Sequence, residues 1–228
     1  MDFRSGGFFL GESAEFLKKY PNTKYKAELT NLMRTFTEDS QRYWRFPSGE
    51  APNIPVCWEV LDRRYTMERD WVRSAVRESW ELFSNIAFIG WEKCGNDGNT
   101  VRIAITESEG PHVKVLGPNL AGVPSGIGLI FSFDHWNSGC KARRESCIRG
   151  SAVHEFGHVL GFAHENDRPD APLACRQLST GAQFTSRLLT PYDEDSVMNQ
   201  CNPVLFNNGV LSALDKEKVK LIYGAPKR

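Results

Sequence analysis

The chain has 228 residues, of which 40% are hydrophobic and 25% charged, as is typical of one globular domain or of two small lobes around a cleft. Lys and Arg together number 28, as do Asp and Glu, so the zero net charge favours neither nucleic acid nor an anionic membrane surface as a partner. Apolar runs such as 127–133 are too short to span a bilayer.

The six cysteines are dispersed along the chain and form no CxxC pair, which argues against a cysteine-type zinc site. An even, dispersed set is typical of disulfides in an oxidising compartment, whereas small buried thiols in a cytosolic protein are the alternative. The N-terminus lacks an apolar run long enough for a secretory signal, so a secreted chain would carry Met1 in place of a removed signal. We expect a secreted protein and favour the pairs Cys140–Cys147 and Cys175–Cys201, although sequence alone does not fix the pairing.

Residues 1–43 are polar and favour helices, and the breaker-rich stretch 46–55 separates them from the rest of the chain. We therefore divide the chain into an N-terminal helical extension, 1–43, and a main domain, 44–228. Within that domain, alternating apolar residues predict strands at the positions 54–60, 86–93, 100–106 and 126–134.

Helical spacing of apolar residues predicts a helix over 70–86, with Asp70 as its N-cap. A second helix should begin near Ser151, and a last one should open within 211–224, where Ser212 and Asp215 resemble a capping box and Gly224 is a natural stop. Such an order of elements is typical of an α+β or α/β fold with a cleft between its halves, and we take α+β as the prediction.

Three of the five histidines fall within the stretch HEFGHVLGFAHE, which begins at His154. On an α-helix His154 and His158 share a face and can reach one metal ion, while Glu155 can contact a water on that metal. Gly161 accepts the left-handed conformation that ends a helix, so the chain can turn back and offer His164 as a third ligand. Three imidazoles that leave one position open are typical of a catalytic zinc site.

Chance spacing on an amphipathic helix is the alternative explanation, and it carries weight for a short HExxH but little for this longer pattern. The other histidines, His112 and His135, lie in loop-like stretches and are interpreted as solvated surface residues.

The motif, together with Arg168 and Asp170 after it, resembles the astacin family of the metzincin clan of zinc endopeptidases. Downstream, YDEDSVMNQC is similar to the Met turn of that family, which implies that Met198 lies beneath the metal. The resemblance implies a metzincin-like fold, in which a mixed twisted sheet and a long zinc-binding helix form an upper lobe. A loop-rich lower lobe would carry the C-terminal helix.

Two positions bear on how closely the chain follows this family. Where the family's Met turn has a tyrosine that helps hold zinc or the reaction oxyanion, this chain has Gln200. A glutamine amide can donate a hydrogen bond to an oxyanion but supplies no phenolate ligand, so Gln200 is assigned to an oxyanion or fifth-ligand position, with Tyr192 packed in the turn. The family's glutamate at Glu165 pairs with an N-terminal amine made by maturation, which would make residues 1–43 an inhibitory propeptide or an accessory segment.

The resemblance implies an endopeptidase with one catalytic zinc ion, although three histidines would also accept cobalt, nickel or copper. Zinc-bound water, activated by Glu155, would attack a protein or peptide substrate, and the strand at 126–134 is either the edge that pairs with substrate or an ordinary core strand. The alternatives are a latent or weakly active zinc-binding interaction protein, which Gln200 favours, and a zinc amidase acting on a cell-wall peptide. We expect a monomer without a membrane span and without a nucleic-acid partner.

Overall fold

The computed structural model describes residues 42–47, 52–178 and 190–227. The helices expected in the N-terminal extension lie outside these residues. A five-stranded sheet is formed by β1 (Asn53–Trp58), β2 (Ala87–Lys93), β3 (Val101–Thr106), β4 (His112–Val113) and β5 (Ile127–Ile130). The α-helices are α1 (Thr66–Val76), α2 (Arg144–Val159), α3 (Leu173–Arg176) and α4 (Ala213–Tyr223).

The sheet is mixed, and its strand order is β2-β1-β3-β5-β4. β1 pairs in parallel with β2 and β3, and β3 pairs in parallel with β5. Only the two-residue β4 runs antiparallel, opposite Ile127 and Gly128 of β5. Of the two alternatives for the strand at 126–134, the structure favours the core strand, because β4 pairs with the outer side of β5 and all four residues of β5 are buried.

Two helices begin earlier than the sequence suggested. α1 starts at Thr66 and contains Asp70, so Asp70 is not its N-cap; Asp62 instead accepts from the backbone N–H of Arg64 in the turn that leads into the helix. α2 starts at Arg144 rather than near Ser151. Its first turn is polar and exposed, which hid it from a search for apolar periodicity.

Apart from the half-buried Arg149, α2 is buried from Cys147 to Val159 because other elements cover it on several sides. Phe156 stacks on Trp91 of β2 with ring centroids 5.5 Å apart, and Phe88 of the same strand meets it edge-on at 4.9 Å. From the α1 side, the indole N–H of Trp80 donates to the carbonyl of Val153 at 2.8 Å. These contacts fix the rotation of α2 and hence the direction in which its histidines point.

α4 begins and ends as the sequence predicts. The Ser212 side chain accepts from the backbone N–H of Asp215, and the Asp215 carboxylate accepts from the Ser212 N–H, which completes the capping box. Gly224 ends the helix with φ at +83°.

All six cysteines form disulfides. Cys140–Cys147 and Cys175–Cys201 are the two pairs favoured from the sequence, and Cys57–Cys94 is the third. Among the described residues, no helix is long and apolar enough to cross a bilayer.

Residues 42–47 lie against the end of α2 and against α4. The indole N–H of Trp44 donates to the carbonyl of Val159 at 2.8 Å, and the ring of Tyr43 packs against Phe162 and Tyr223. The domain boundary between residues 43 and 44 stays a prediction. A boundary at that position would divide the segment 42–47, which packs against the main domain as a whole.

Candidate metal centre

The three motif histidines lie together in space. The Nε2 atom of His164 is 3.2 Å from that of His154 and 3.0 Å from that of His158. Nitrogen ligands about 2.1 Å from a tetrahedral zinc ion are about 3.4 Å from one another, so the spacing of these atoms suits such an ion. The three histidines can therefore serve together as ligands of one metal ion.

Contacts at Nδ1 orient the two helical imidazoles. Nδ1 of His154 is 2.7 Å from the carbonyl oxygen of Val197, and Nδ1 of His158 is 2.7 Å from that of Phe162. A carbonyl only accepts, so each Nδ1 carries the proton and each Nε2 keeps its lone pair for a metal. Nδ1 of His164 lies 3.5 Å from a carboxylate oxygen of Asp167, which favours the same tautomer.

Burial keeps the cluster neutral. It lowers the pKa of His154 to about 3, with a smaller contribution from His164. Burial and the two neighbouring imidazoles lower the pKa of His158 well below its ordinary value, and burial also lowers the pKa of His164 against the opposing effect of Asp167. A neutral imidazole is the form that binds metal, so protons compete weakly for this site near neutral pH.

The turn that returns His164 depends on Gly161, as the sequence predicts. Its φ is +89°, a backbone conformation that side chains disfavour, and its N–H donates to the carbonyl of His158 at 2.9 Å. A Cβ at this position would also collide with the carbonyl of Arg42.

Met198 is buried against Gly157 of α2. Any side chain at Gly157 would collide with the Met198 sulfur, so the glycine allows the methionine to approach the helix. The Met198 carbonyl accepts from the N–H of Glu165 at 3.0 Å, which joins the Met turn to the residue after His164. Sequence reasoning left Gly157 unassigned, because it is one of the variable positions of the motif.

Glu155 is buried, and its Oε2 atom has no hydrogen-bond partner among the described residues. Burial raises the pKa of its carboxyl well above the ordinary value. Gln200 is exposed, and its amide nitrogen lies 3.2 Å from Nε2 of His164, so this side chain borders the metal centre as expected from its place in the Met turn. Tyr192 packs in the turn, where its hydroxyl accepts from the Asn199 amide at 2.9 Å.

Glu165 has a partner that the sequence did not suggest. Its Oε1 accepts from the ammonium of Lys218 at 2.5 Å, and its Oε2 accepts from the N–H of Asp193 at 3.1 Å. Arg168 and Asp170 form the bidentate pair that their spacing allows, with both contacts at 2.9 Å.

Phe206 is a second unpredicted contact of the centre. Its ring lies over His154, with centroids 4.3 Å apart, and its backbone is left-handed with φ at +49°. Neither His112 nor His135 belongs to the cluster.

No family model matches the chain. A 73-residue stretch is 33% identical to astacin-like metalloprotease toxin 2 of Loxosceles intermedia. The alignment spans 27% of this chain and 26% of the toxin, or about a quarter of that relative.

Solved structures match over most of the chain. One structure of myroilysin has a TM-score of 0.55 at 20% identity, covering 82% of this chain and 97% of that one. High choriolytic enzyme 1, a hatching-enzyme zinc protease of the medaka fish Oryzias latipes, has a TM-score of 0.51 at 19% identity, covering 82% and 96%. The chain has a metzincin-like fold. This confirms the predicted fold class, and the mixed sheet, the long α2 and the three-histidine turn are the elements that carry it.

Proposed function

We propose that the protein is a zinc-dependent endopeptidase. The observation that carries the proposal is the convergence of three imidazole Nε2 atoms beside Glu155, a buried carboxyl group with an unpartnered oxygen. His154, His158 and His164 would hold the ion. A bound zinc ion supplies Lewis acidity for the scissile carbonyl and lowers the pKa of water.

Glu155 acts as the general base and acid. Its carboxylate takes a proton from the attacking water and passes that proton to the amine that leaves. Burial supports this role, because it raises the pKa of the Glu155 carboxyl above its ordinary value and so makes the carboxylate a stronger base.

Gln200 stabilises the oxyanion of the tetrahedral intermediate. Its amide borders the metal centre from the Met-turn side and is exposed enough to meet a substrate. An amide N–H aimed at developing negative charge lowers the barrier without changing its own protonation state.

The substrate is a protein or peptide, acted on outside the cell by a monomeric enzyme. Three disulfides support an oxidising compartment, and two of the similar proteins are named as a toxin and a hatching enzyme. Residues 1–43 form an extension of the catalytic domain, 44–228, and whether the extension inhibits is decided by comparing the full chain with a trimmed one.

Glu155→Gln tests the proposal, since it keeps the size of the side chain and removes its basicity. Cleavage of a denatured protein should fall by about 10²- to 10⁴-fold, whereas bound zinc should stay at one ion per chain. New peptide termini are identified by mass spectrometry, and metal content is measured by atomic absorption. Glu145→Gln is the matched control, because Glu145 is an exposed carboxylate on the same helix.

Cleavage by Glu155→Gln at the wild-type rate would refute the assigned role of Glu155. A protein that holds zinc but cuts no denatured protein, both as the full chain and after trimming of residues 1–43, would refute the endopeptidase. In that case, cleavage of cell-wall peptides alone would identify an amidase.

A further inference from the structure

The C-terminal helix α4 carries two charged residues that are almost completely buried. Asp215 and Lys218 are 1% and 6% exposed. They are three residues apart, so they point to the same side of the helix, toward the metal centre. Buried charges are costly unless they are paired, and both of these residues contact segments that hold the motif histidines.

Asp215 contacts the segment that orients His154. Its Oδ1 accepts from the hydroxyl of Ser196 at 2.6 Å, and its Oδ2 accepts from the N–H of Val197 at 2.9 Å. The carbonyl of the same Val197 contacts Nδ1 of His154 at 2.7 Å. One residue therefore links α4 to the imidazole of His154.

Lys218 contacts the segment that carries His164. Its ammonium donates to Glu165, the residue after His164, at 2.5 Å. The N–H of Glu165 donates to the carbonyl of Met198, so the position of this glutamate also determines how the Met turn and the His164 turn meet.

Lys218 is the cation committed to Glu165. Arg168 also approaches that carboxylate, with its Nε 3.4 Å from Oε2. Arg168, however, makes two shorter contacts of 2.9 Å with Asp170 and donates to the carbonyl of Thr190 at 2.6 Å. Without Lys218, the buried carboxylate next to a metal-site histidine would lack its nearest compensating charge.

We infer that Lys218 is a positioning residue of the metal centre, an internal counter-ion that holds Glu165 and through it the turn of His164. Asp215 holds the turn behind His154 from the same helix. The ammonium that contacts Glu165 thus comes from α4. The expected effect of Lys218 on catalysis rests on the proposed function, whereas its expected effect on metal binding does not.

Lys218→Met tests the inference, with zinc affinity measured by competition against a chelator and site geometry by the visible absorption of the cobalt-loaded protein. We expect the zinc affinity to fall by about 10- to 100-fold and the cobalt spectrum to change, as occurs when a residue that orients a metal ligand is lost. Glu165→Gln combined with Lys218→Met should recover most of the affinity, because no uncompensated carboxylate then remains.

Arg144→Met is the matched control. Arg144 contacts the buried carboxylate of Glu68 at 2.5 Å and joins α1 to α2 away from the histidine turn. This variant should lose stability to urea while keeping the wild-type zinc affinity and cobalt spectrum. An equal loss of affinity in Arg144→Met would show that Lys218 acts only through general stability and would overturn the inference.

Two further results would overturn it: wild-type affinity in Lys218→Met, or a double variant no better than Lys218→Met alone. If Lys218→Met does not fold, the double variant still tests the inference, because it removes the charge of Glu165 together with that of Lys218. Absence of peptide cleavage by a zinc-loaded wild-type protein would refute the endopeptidase and leave this inference intact.

Discussion

At the residue scale, the state of each imidazole follows from its surroundings. Backbone carbonyls fix the tautomers of His154 and His158, and burial keeps both rings neutral. The sequence predicts these two residues and His164 because helical spacing and one glycine suffice to bring them together. It does not predict Lys218 or Phe206, since those contacts depend on how distant segments pack.

The lowered histidine pKa values predict acid sensitivity of the metal-free protein. A histidine whose folded-state pKa lies below its ordinary value of 6.5 binds fewer protons than the unfolded chain does, so its contribution is complete above about pH 6.5 and is lost as the pH falls. The raised pKa of Glu155 has the opposite effect on stability, since it favours the folded state as the pH falls. The Glu155→Gln substitution removes this contribution.

In metal-free Glu155→Gln, urea denaturation should therefore show a free energy of unfolding lower by about 1–3 kcal/mol at about pH 5.5 than at about pH 7. Replacing His154 by Asn in the same background should flatten this dependence. A stability that stays constant or rises on acidification would contradict the assignment of neutral, buried imidazoles.

Gln200 can be tested by removing its hydrogen-bond donors. Gln200→Leu should lower kcat by about 10²-fold and leave KM and zinc content nearly unchanged, because the amide would act on the oxyanion and not on the bound substrate. The control is Gln177→Leu, at an exposed glutamine outside the centre. An unaltered kcat would remove Gln200 from the mechanism, and lost zinc would make it a ligand.

At the element scale, α2 is packed by the sheet on one side and by α1 and the Met turn on others, which explains why most of its residues after Ser146 are buried, the polar ones included. Apolar alternation was enough to predict β1, β2, β3 and β5. The two-residue β4 is too short to leave a pattern, so the position of the sheet edge could not be read from the sequence.

Gly157→Ala should show how closely the Met turn approaches α2. A methyl group there would collide with the Met198 sulfur and crowd Trp80, so the free energy of unfolding should fall by about 1–3 kcal/mol although alanine favours helices. Urea denaturation measures this change, with Gly98→Ala as the control because a Cβ at Gly98 meets open space. Equal stability of Gly157→Ala and wild type would refute the close approach.

At the scale of the whole molecule, α4 contacts the segments around the metal centre, and residues 42–47 cover the C-terminal end of α2. The aromatic hydroxyl of Tyr223 connects these parts, since it donates to the carbonyl of Leu160 at 2.7 Å and accepts from the N–H of Trp44 at 3.4 Å. The sequence predicts the capping box of α4 because that motif is local. It does not predict where α4 docks, because docking depends on residues far away in the sequence.

Truncation tests the role of residues 42–47. A chain that starts at residue 42 should exceed one that starts at residue 48 by about 2 kcal/mol in free energy of unfolding, because the latter loses the Trp44 hydrogen bond and the burial of two aromatic rings. Thermal denaturation compares the two directly, and equal midpoints would show that this segment contributes nothing to the fold.

The most direct test of the zinc endopeptidase is a titration of the metal-free protein with zinc while cleavage of a denatured protein is followed. Cleavage should rise in proportion to added zinc and level off at one ion per chain, with new internal peptide termini that Glu155→Gln does not produce. Cleavage that is already complete without metal, or one bound zinc per chain with no cleavage by either the full chain or the chain trimmed of residues 1–43, would contradict the proposed function.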